Sequence, residues 1–63
     1  MKKQNNILQP HIGDVVQLQI GGPLMTVESE PSEGWTPCVW FDANDQLHRA
    51  KFKTALLIEA EGR

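Results

Sequence analysis

Residues 12–27 read Ile12-Gly-Asp-Val-Val-Gln-Leu-Gln-Ile-Gly-Gly-Pro-Leu-Met-Thr-Val27. Within this stretch Val16, Leu18 and Ile20 recur at every second position, which is the spacing that puts side chains on one face of a β-strand. The pair Gly21-Gly22 follows, and glycine accepts the positive φ angles that tight hairpin turns require. The stretch therefore predicts a β-hairpin that turns at the two glycines.

The rest of the chain continues this pattern of short apolar segments separated by turn-forming residues. Residues 31–34 and 42–45 are rich in Pro, Gly, Ser, Asn and Asp, which favour turns. Apolar residues do not follow the 3.6-residue period of an amphipathic helix. We therefore predict an all-β fold, a small SH3-like barrel of about five short antiparallel strands, either closed or half open. The predicted strands cover residues 14–20, 24–29, 36–42, 46–52 and 56–59, with one helical turn at 53–55.

The length of 63 residues is enough for one domain with a small core. We expect residues 1–11 to be a flexible N-terminal lead-in, 12–60 a single small β-barrel domain and 61–63 a polar tail. Cys38 is the only cysteine, so no disulfide forms within one chain, and a lone cysteine fits a reducing compartment. We see no apolar stretch long enough for a signal peptide or a transmembrane helix. These features predict a cytoplasmic protein.

The alternation also divides the apolar residues between the interior and the outside. We expect alternate residues of each strand to fill the interior, namely Val16, Leu18, Met25, Val27, Cys38 and Trp40. Outward apolar residues on neighbouring strands form a patch suited to binding another protein, or a second copy of this chain in a homodimer. Trp35, which follows a glycine in a loop, belongs to a residue type enriched at binding hot spots. The predicted protein interface comprises Val15, Leu24, Trp35, Phe41 and Leu57.

Basic residues form a second pattern. The formal net charge is −2, which argues against a protein whose whole surface binds nucleic-acid phosphates. Arg49, Lys51 and Lys53 nevertheless recur at every second position in the fourth predicted strand, a spacing that places them on one face. Beside an exposed Trp35 or Phe41, these cations could hold single-stranded nucleic acid by phosphate contacts and base stacking. The alternative is a solvated edge strand whose lysines prevent aggregation.

The sequence contains no pattern typical of a catalytic or metal site. Cys38 and His48 could act as nucleophile and base, but a cysteine alternating with Trp40 in an apolar strand is typical of a core residue. Asp14 follows a glycine at the start of a strand, where a carboxylate accepts backbone N–H bonds and turns the chain. His11, Cys38 and His48 lack the paired spacing of metal ligands. We predict no enzyme activity, no cofactor, no metal and no membrane partner.

Four short motifs carry a family resemblance, namely Gly13-Asp-Val-Val-x-Leu18, Gly21-Gly-Pro23, Met25-Thr-Val27 and Cys38-x-Trp40-Phe41. Together they resemble the YodC-like family of small bacterial and phage proteins over about residues 12–58. The string Gly-Gly-Pro-x-Met-Thr-Val is the most specific part. The resemblance implies an SH3-like barrel and a bacterial or phage source, and it implies no activity because the family has no established one.

Three functions remain open at this point. The first is a non-enzymatic interaction module that binds a protein partner or itself through Trp35 and the outward apolar residues. The second is a small nucleic-acid-binding barrel that uses Arg49, Lys51 and Lys53. The third, suggested by the phage side of the resemblance, is a phage or mobile-element accessory protein that inhibits a host factor.

Overall fold

The computed structural model describes residues 10–60, which form one antiparallel sheet of five strands. The strands are β1 (Val15–Leu18), β2 (Gly21–Val27), β3 (Trp35–Phe41), β4 (Leu47–Lys53) and β5 (Leu57–Glu59), and a 3-10 helix, Thr54–Leu56, joins β4 to β5. Their order across the sheet is β4-β3-β2-β1-β5. The predicted all-β fold of five short antiparallel strands is confirmed. Of the predicted lead-in (1–11) and tail (61–63), only Pro10 and His11 lie within the described residues, and Pro10 is buried.

The sheet is not closed, because β4 and β5 are its two edges and do not pair with each other within residues 10–60. The 3-10 helix bridges the two sides instead. The backbone N–H of Thr54 donates to the carbonyl oxygen of Gly34, just before β3, at 2.8 Å. The N–H of Gln19, just after β1, donates to the carbonyl oxygen of Leu56 at 2.9 Å. The buried hydroxyl of Thr36 is satisfied by the Thr54 hydroxyl, 2.6 Å away.

The core lies on one face of the sheet. Its centre is a cluster of side chains that are at most 2% exposed: Val16, Met25, Val27, Cys38 and Leu57. Leu18, Trp40 and Phe52 are partly buried and pack against this cluster. All the residues predicted to fill the interior belong to this group, so the inward parity read from β1, β2 and β3 is confirmed.

Leu57 also points into the core, and the prediction that it faces outward is wrong. Leu57 lies opposite Leu18 in the β1–β5 pair and is 0% exposed. The preceding Leu56 is 52% exposed. A 3-10 helix advances three residues per turn whereas a strand alternates every two, so the parity of β4 does not carry over into β5.

The first hairpin turns two residues earlier than predicted. Leu18 pairs with Gly21, so Gln19 and Ile20 form the turn and the two glycines begin β2. Gly21 and Gly22 have positive φ angles of 112° and 103°, as expected for the pair, but they lie at a shift of the β1–β2 register and not at the tip. Ile20 does not share the inward face of β1, because it lies in the turn and is 92% exposed.

The chain enters β1 through a turn that Asp14 stabilises. Oδ2 of Asp14 accepts a hydrogen bond from the backbone N–H of His11 at 2.9 Å, and the N–H of Asp14 donates to the His11 carbonyl oxygen at 3.0 Å. Gly13 has a φ of 95°, a conformation that L side chains rarely adopt. The hydrogen bonding predicted for Asp14 is therefore confirmed.

Pro37 ends the pairing of β2 with β3. The N–H of Glu28 donates to the carbonyl oxygen of Pro37 at 2.9 Å, so this side of Pro37 faces β2. The N–H and C=O groups of a strand residue point to the same side, and proline has no N–H to return the bond. The β2–β3 ladder therefore stops at the pair Val27 and Cys38.

Candidate interaction face

The side of the sheet opposite the core carries most of the exposed apolar residues and a row of basic ones. β3 and β4 pair without a register shift along their whole length, and residues directly opposite each other lie on the same face. Alternate pairs point away from the core: Trp35 with Lys53, Pro37 with Lys51, Val39 with Arg49, and Phe41 with Leu47. These eight residues form the outer face, together with Val15 on β1 and Leu24 and Thr26 on β2.

The outer face continues across β2 to β1. Thr26 pairs with Val39 on one side and with Val15 on the other, so one row of side chains runs from Val15 to Arg49 across four strands. Leu24 lies two residues before Thr26, on the same side of β2, and is 55% exposed. The outer face is therefore a surface of four strands and not a feature of β4 alone.

Two sets of residues that the sequence predicted separately come together on this face. Four members of the predicted protein interface lie on it: Val15, Leu24, Trp35 and Phe41. The three predicted nucleic-acid contacts lie on it as well: Arg49, Lys51 and Lys53. The fifth predicted interface residue, Leu57, does not, because it is buried in the core.

The apolar part of the outer face is widest at the end nearest the β3–β4 turn. Phe41 is 66% exposed there, and its cross-strand partner Leu47 is 48% exposed. Trp35 lies at the opposite end of β3 and is 42% exposed. Sequence reasoning missed Leu47, although its parity matches that of Arg49 and would have placed it on this side of the strand.

Among residues 10–60, the lysines and arginines are confined to this face. Every lysine and arginine among residues 10–60 lies on β4, as Arg49, Lys51 and Lys53, and β4 contains no Asp or Glu. Nη2 of Arg49 lies 3.3 Å from Oε2 of Glu28, and Nζ of Lys53 lies 5.5 Å from the centre of the Trp35 ring. Lys51 has no carboxylate of another described residue within ion-pair distance. Within residues 10–60, the positive charge of lysine and arginine is therefore concentrated on one strand.

An open depression of about 380 Å³ lies beside this row of cations. It is lined by Glu28, Pro37, Arg49, Ala50 and Lys51. Pro37 lies between β4 and the point at which β2 leaves the sheet, so the interrupted ladder and the depression coincide. Most of the surface that lines it is apolar, although Glu28, Arg49 and Lys51 contribute atoms to it.

The β3–β4 turn holds a second polar cluster, centred on Asp42. Oδ1 of Asp42 accepts hydrogen bonds from the N–H groups of Asn44 and Gln46, at 2.8 and 3.0 Å. Oδ2 lies 2.7 Å from Nε2 of His48, whose ring stacks on Trp40. The hydrogen bond from Gln46, followed by that from His48, lowers the pKa of Asp42. The Asx turn predicted for residues 42–45 is confirmed.

We expect this carboxylate to contribute to the acid sensitivity of the fold. Because the folded-state pKa of Asp42 lies below its ordinary value of 3.8, its stabilising effect is present above about pH 4 and is lost as the pH falls through the folded-state pKa. Asp42→Asn lacks this titration. The difference in urea midpoint between wild type and Asp42→Asn is expected to be largest near about pH 6 and to shrink toward about pH 2.

Asp45→Asn is the matched control for this prediction, since it removes one negative charge from the same turn but none of these hydrogen bonds. A difference between wild type and Asp42→Asn that stayed constant over the whole pH range would contradict a role for the Asp42 carboxylate.

Cys38 has the environment of a core residue. It is 0% exposed, its Sγ donates to the carbonyl oxygen of Thr36 at 3.6 Å, and burial raises the pKa of its thiol. Its cross-strand partner is Ala50, whereas His48 lies opposite Trp40, so the register does not pair Cys38 with His48. In the described part of the chain, no three His, Cys, Asp or Glu side chains are grouped as metal ligands would be. None of the helices in residues 10–60 has the length and apolar character needed to cross a membrane.

Comparison with known proteins gives a family and no closer relative. No curated protein and no solved structure matches the chain. The family described as "Uncharacterized small protein (DUF2158)" matches residues 11–57, which is more than half of the chain, and the chain therefore belongs to this family of small uncharacterized proteins.

Proposed function

We propose that this protein is a small non-enzymatic module that binds another protein through the outer face of β3 and β4. One observation carries the proposal. A single continuous face combines exposed aromatic and aliphatic side chains, such as Phe41, Trp35 and Leu24, with a row of cations. Exposed apolar residues scattered singly are normal on a soluble protein, whereas a contiguous patch with a polar rim is typical of an interface.

The residue types on this face also favour a protein partner. Tryptophan and arginine are enriched among the residues that dominate binding energy, and Trp35 and Arg49 both lie here. Lys53 lies over the Trp35 ring, with Nζ 5.5 Å from its centre. A side chain that is already ordered loses less entropy on binding, so this contact favours association through Trp35.

Binding to nucleic acid is the alternative that the same face supports, because the cations lie next to Trp35. One observation makes it second: the apolar end formed by Leu24, Phe41 and Leu47 offers no phosphate contact. Binding of this kind would weaken steeply as salt concentration rises.

A homodimer is a narrower form of the proposal. A two-fold symmetric contact places the same patch of both copies together. A symmetric contact centred on Lys51 would bring the lysines of the two copies together, and contact between like charges is unfavourable. A homodimer would therefore use the apolar end of the outer face, around Phe41 and Leu47.

The test is crosslinking followed by reconstitution. Phe41 is replaced by the photo-crosslinker p-benzoylphenylalanine in the native host, and the captured protein is then purified and titrated against wild type and Phe41→Ser. We expect Phe41→Ser to weaken binding by about 10-fold or more, the effect of losing a central contact. Ile20→Ser, which changes an even more exposed apolar residue in the β1–β2 turn, is expected to leave affinity within about twofold.

Light scattering on the purified protein separates the homodimer from a different partner. Two results together would contradict the proposal. Wild type and Phe41→Ser would bind the captured protein with equal affinity, and the protein would be monomeric at all concentrations. We also propose a cytoplasmic location, which the lone Cys38 supports. A bacterial or phage source and inhibition of a host factor belong to the same proposal, and their support is the resemblance to YodC-like proteins.

A further inference from the structure

We propose that the free edge of β4 takes up an extended segment of a partner protein as a sixth strand, and that this segment carries acidic residues at alternate positions. The inference rests on the proposed function and adds the chemistry of the partner. Its basis is the coincidence, on one edge strand, of unpaired backbone groups and every lysine and arginine of the described residues.

The backbone of β4 shows which groups are free. The carbonyl oxygen of Gln46 accepts from Asp42, and the N–H of Thr54 donates to Gly34. The even-numbered positions of β4 therefore bond to β3, because N–H and C=O groups alternate sides along an antiparallel strand. The odd-numbered positions direct their N–H and C=O groups away from the sheet, and no described strand pairs with them. These positions are Leu47, Arg49, Lys51 and Lys53.

The same positions carry the positive charge. Their side chains lie on the outer face, opposite β3 residues Phe41, Val39, Pro37 and Trp35. A strand added to this edge would place every second side chain directly beside Arg49, Lys51 and Lys53. Opposite charges at such cross-strand positions are favourable. The complementary segment therefore has the pattern acidic-x-acidic-x-acidic.

A second copy of the chain is a poor occupant of this edge. Two β4 strands paired antiparallel would set cations against cations along the shared outer face, which is destabilising. Lysines on edge strands protect natural sheets from self-pairing in this way. The charges that exclude a second β4 strand are the ones that attract an acidic strand, so the protective role and the binding role are compatible.

Glu28 makes the proposal specific. Its carboxylate lies 3.3 Å from Nη2 of Arg49, on the β2 side of the sheet, and therefore competes for this guanidinium with an acidic side chain on the free edge of β4. An incoming segment must compete with this intramolecular contact. Removing the Glu28 charge is therefore expected to strengthen binding, an effect opposite to that of most substitutions in an interface.

The probe is the capped heptapeptide Thr-Glu-Val-Glu-Val-Glu-Thr, titrated into the full chain and followed by amide hydrogen exchange and NMR. Two control peptides are used: Glu-Glu-Glu-Val-Thr-Val-Thr, with the same composition but contiguous acids, and the version with lysine in place of each Glu. We expect the alternating peptide to slow exchange of the odd-numbered β4 amides, Arg49 and Lys51 above all, by about 10-fold or more. The lysine peptide is expected not to bind.

Two substitutions of Lys51 distinguish the contribution of its charge to peptide binding from that of its backbone N–H. Lys51→Gln removes one cation and is expected to weaken peptide binding by about fivefold or less. Lys51→Pro also removes an outward N–H that makes no ladder bond within the protein, so an edge strand tolerates it. We expect Lys51→Pro to cost about a further 10-fold. Glu28→Gln is expected to tighten binding by about two- to fivefold.

Several results would overturn the proposal. One is equal binding of the alternating and contiguous peptides without protection of the odd-numbered amides. Another is tighter, more salt-sensitive binding of an oligothymidine strand to the same edge, which would make nucleic acid the ligand. A third is protection of these amides by self-association in the absence of peptide. The exchange measurement on wild type decides even if Lys51→Pro does not fold.

Failure of the strand-addition proposal can be distinguished from failure of the proposed function. If no peptide binds while Phe41→Ser still weakens binding of the crosslinked partner, the strand-addition proposal fails and the outer face remains the interface. If Phe41→Ser has no effect either, both proposals fail.

Discussion

Leu57→Ala is expected to leave the protein largely unfolded at room temperature. Leu57 is the largest fully buried side chain in residues 10–60. Truncating a buried leucine to alanine lowers the free energy of unfolding by about 2–5 kcal/mol. A domain of this size has a total of only about 3–5 kcal/mol to lose. The substitution therefore removes most or all of the stability.

The adjacent Leu56 provides a matched control. Leu56 is 52% exposed, so Leu56→Ala is expected to change the free energy of unfolding by about 0.5 kcal/mol or less. Both variants are measured by urea unfolding, with tryptophan fluorescence and circular dichroism as independent probes. The comparison distinguishes the observed structure from a β5 strand of the opposite parity, in which Leu56→Ala would be the damaging substitution. That reversed result would contradict the described packing of β5.

The double substitution Gly21→Ala with Gly22→Ala is expected to lower the free energy of unfolding by about 1–3 kcal/mol. An L residue at positive φ costs about 1–2 kcal/mol. Alanine offsets only part of this cost, because it reduces the conformational entropy of the unfolded chain. A Cβ at either position would have no neighbour within 4 Å. The loss therefore comes from the backbone alone.

The control for this experiment is Ile20→Ala in the same hairpin. Ile20 is 92% exposed and is not among the described residues with positive φ, so the change is expected to be about 0.5 kcal/mol or less. Thermal unfolding of the two variants under identical conditions makes the comparison. A double-alanine variant as stable as wild type would mean that the β1–β2 register does not depend on these two glycines.

The sequence predicts most of the fold because alternation within a strand is a local property. The inward parity of Val16, Met25 and Cys38 follows from their own neighbours, and the Asp42 turn follows from side chains that bond to adjacent backbone. The two errors fall where local rules do not apply. Leu57 follows a 3-10 helix that breaks the alternation, and the Gly21-Gly22 pair serves a register shift that only the pairing with β1 reveals.

The candidate site was predicted in parts and not as a whole. Residue type marks Trp35 as a candidate, and alternation within single strands marks Phe41 and the basic residues 49, 51 and 53. That they share one face depends on the register of β3 against β4, which the length and conformation of the turn determine. The chemistry of the proposed partner is even harder to predict from the sequence. It depends on which backbone groups of β4 are unpaired among the described residues, and the order of the strands in the sheet determines this.

The topology of the sheet also implies an order of assembly. The β3–β4 hairpin joins residues as close in sequence as Phe41 and Leu47, whereas the β1–β5 pair joins Leu18 to Leu57. Closing a longer loop costs more entropy, and hairpins form in about 1–10 μs. We therefore expect the β3–β4 hairpin, and with it the cationic strand, to form before β5 pairs with β1 and covers the core. If an acidic segment binds β4 as proposed, binding at that stage favours the native pairing of β4 with β3.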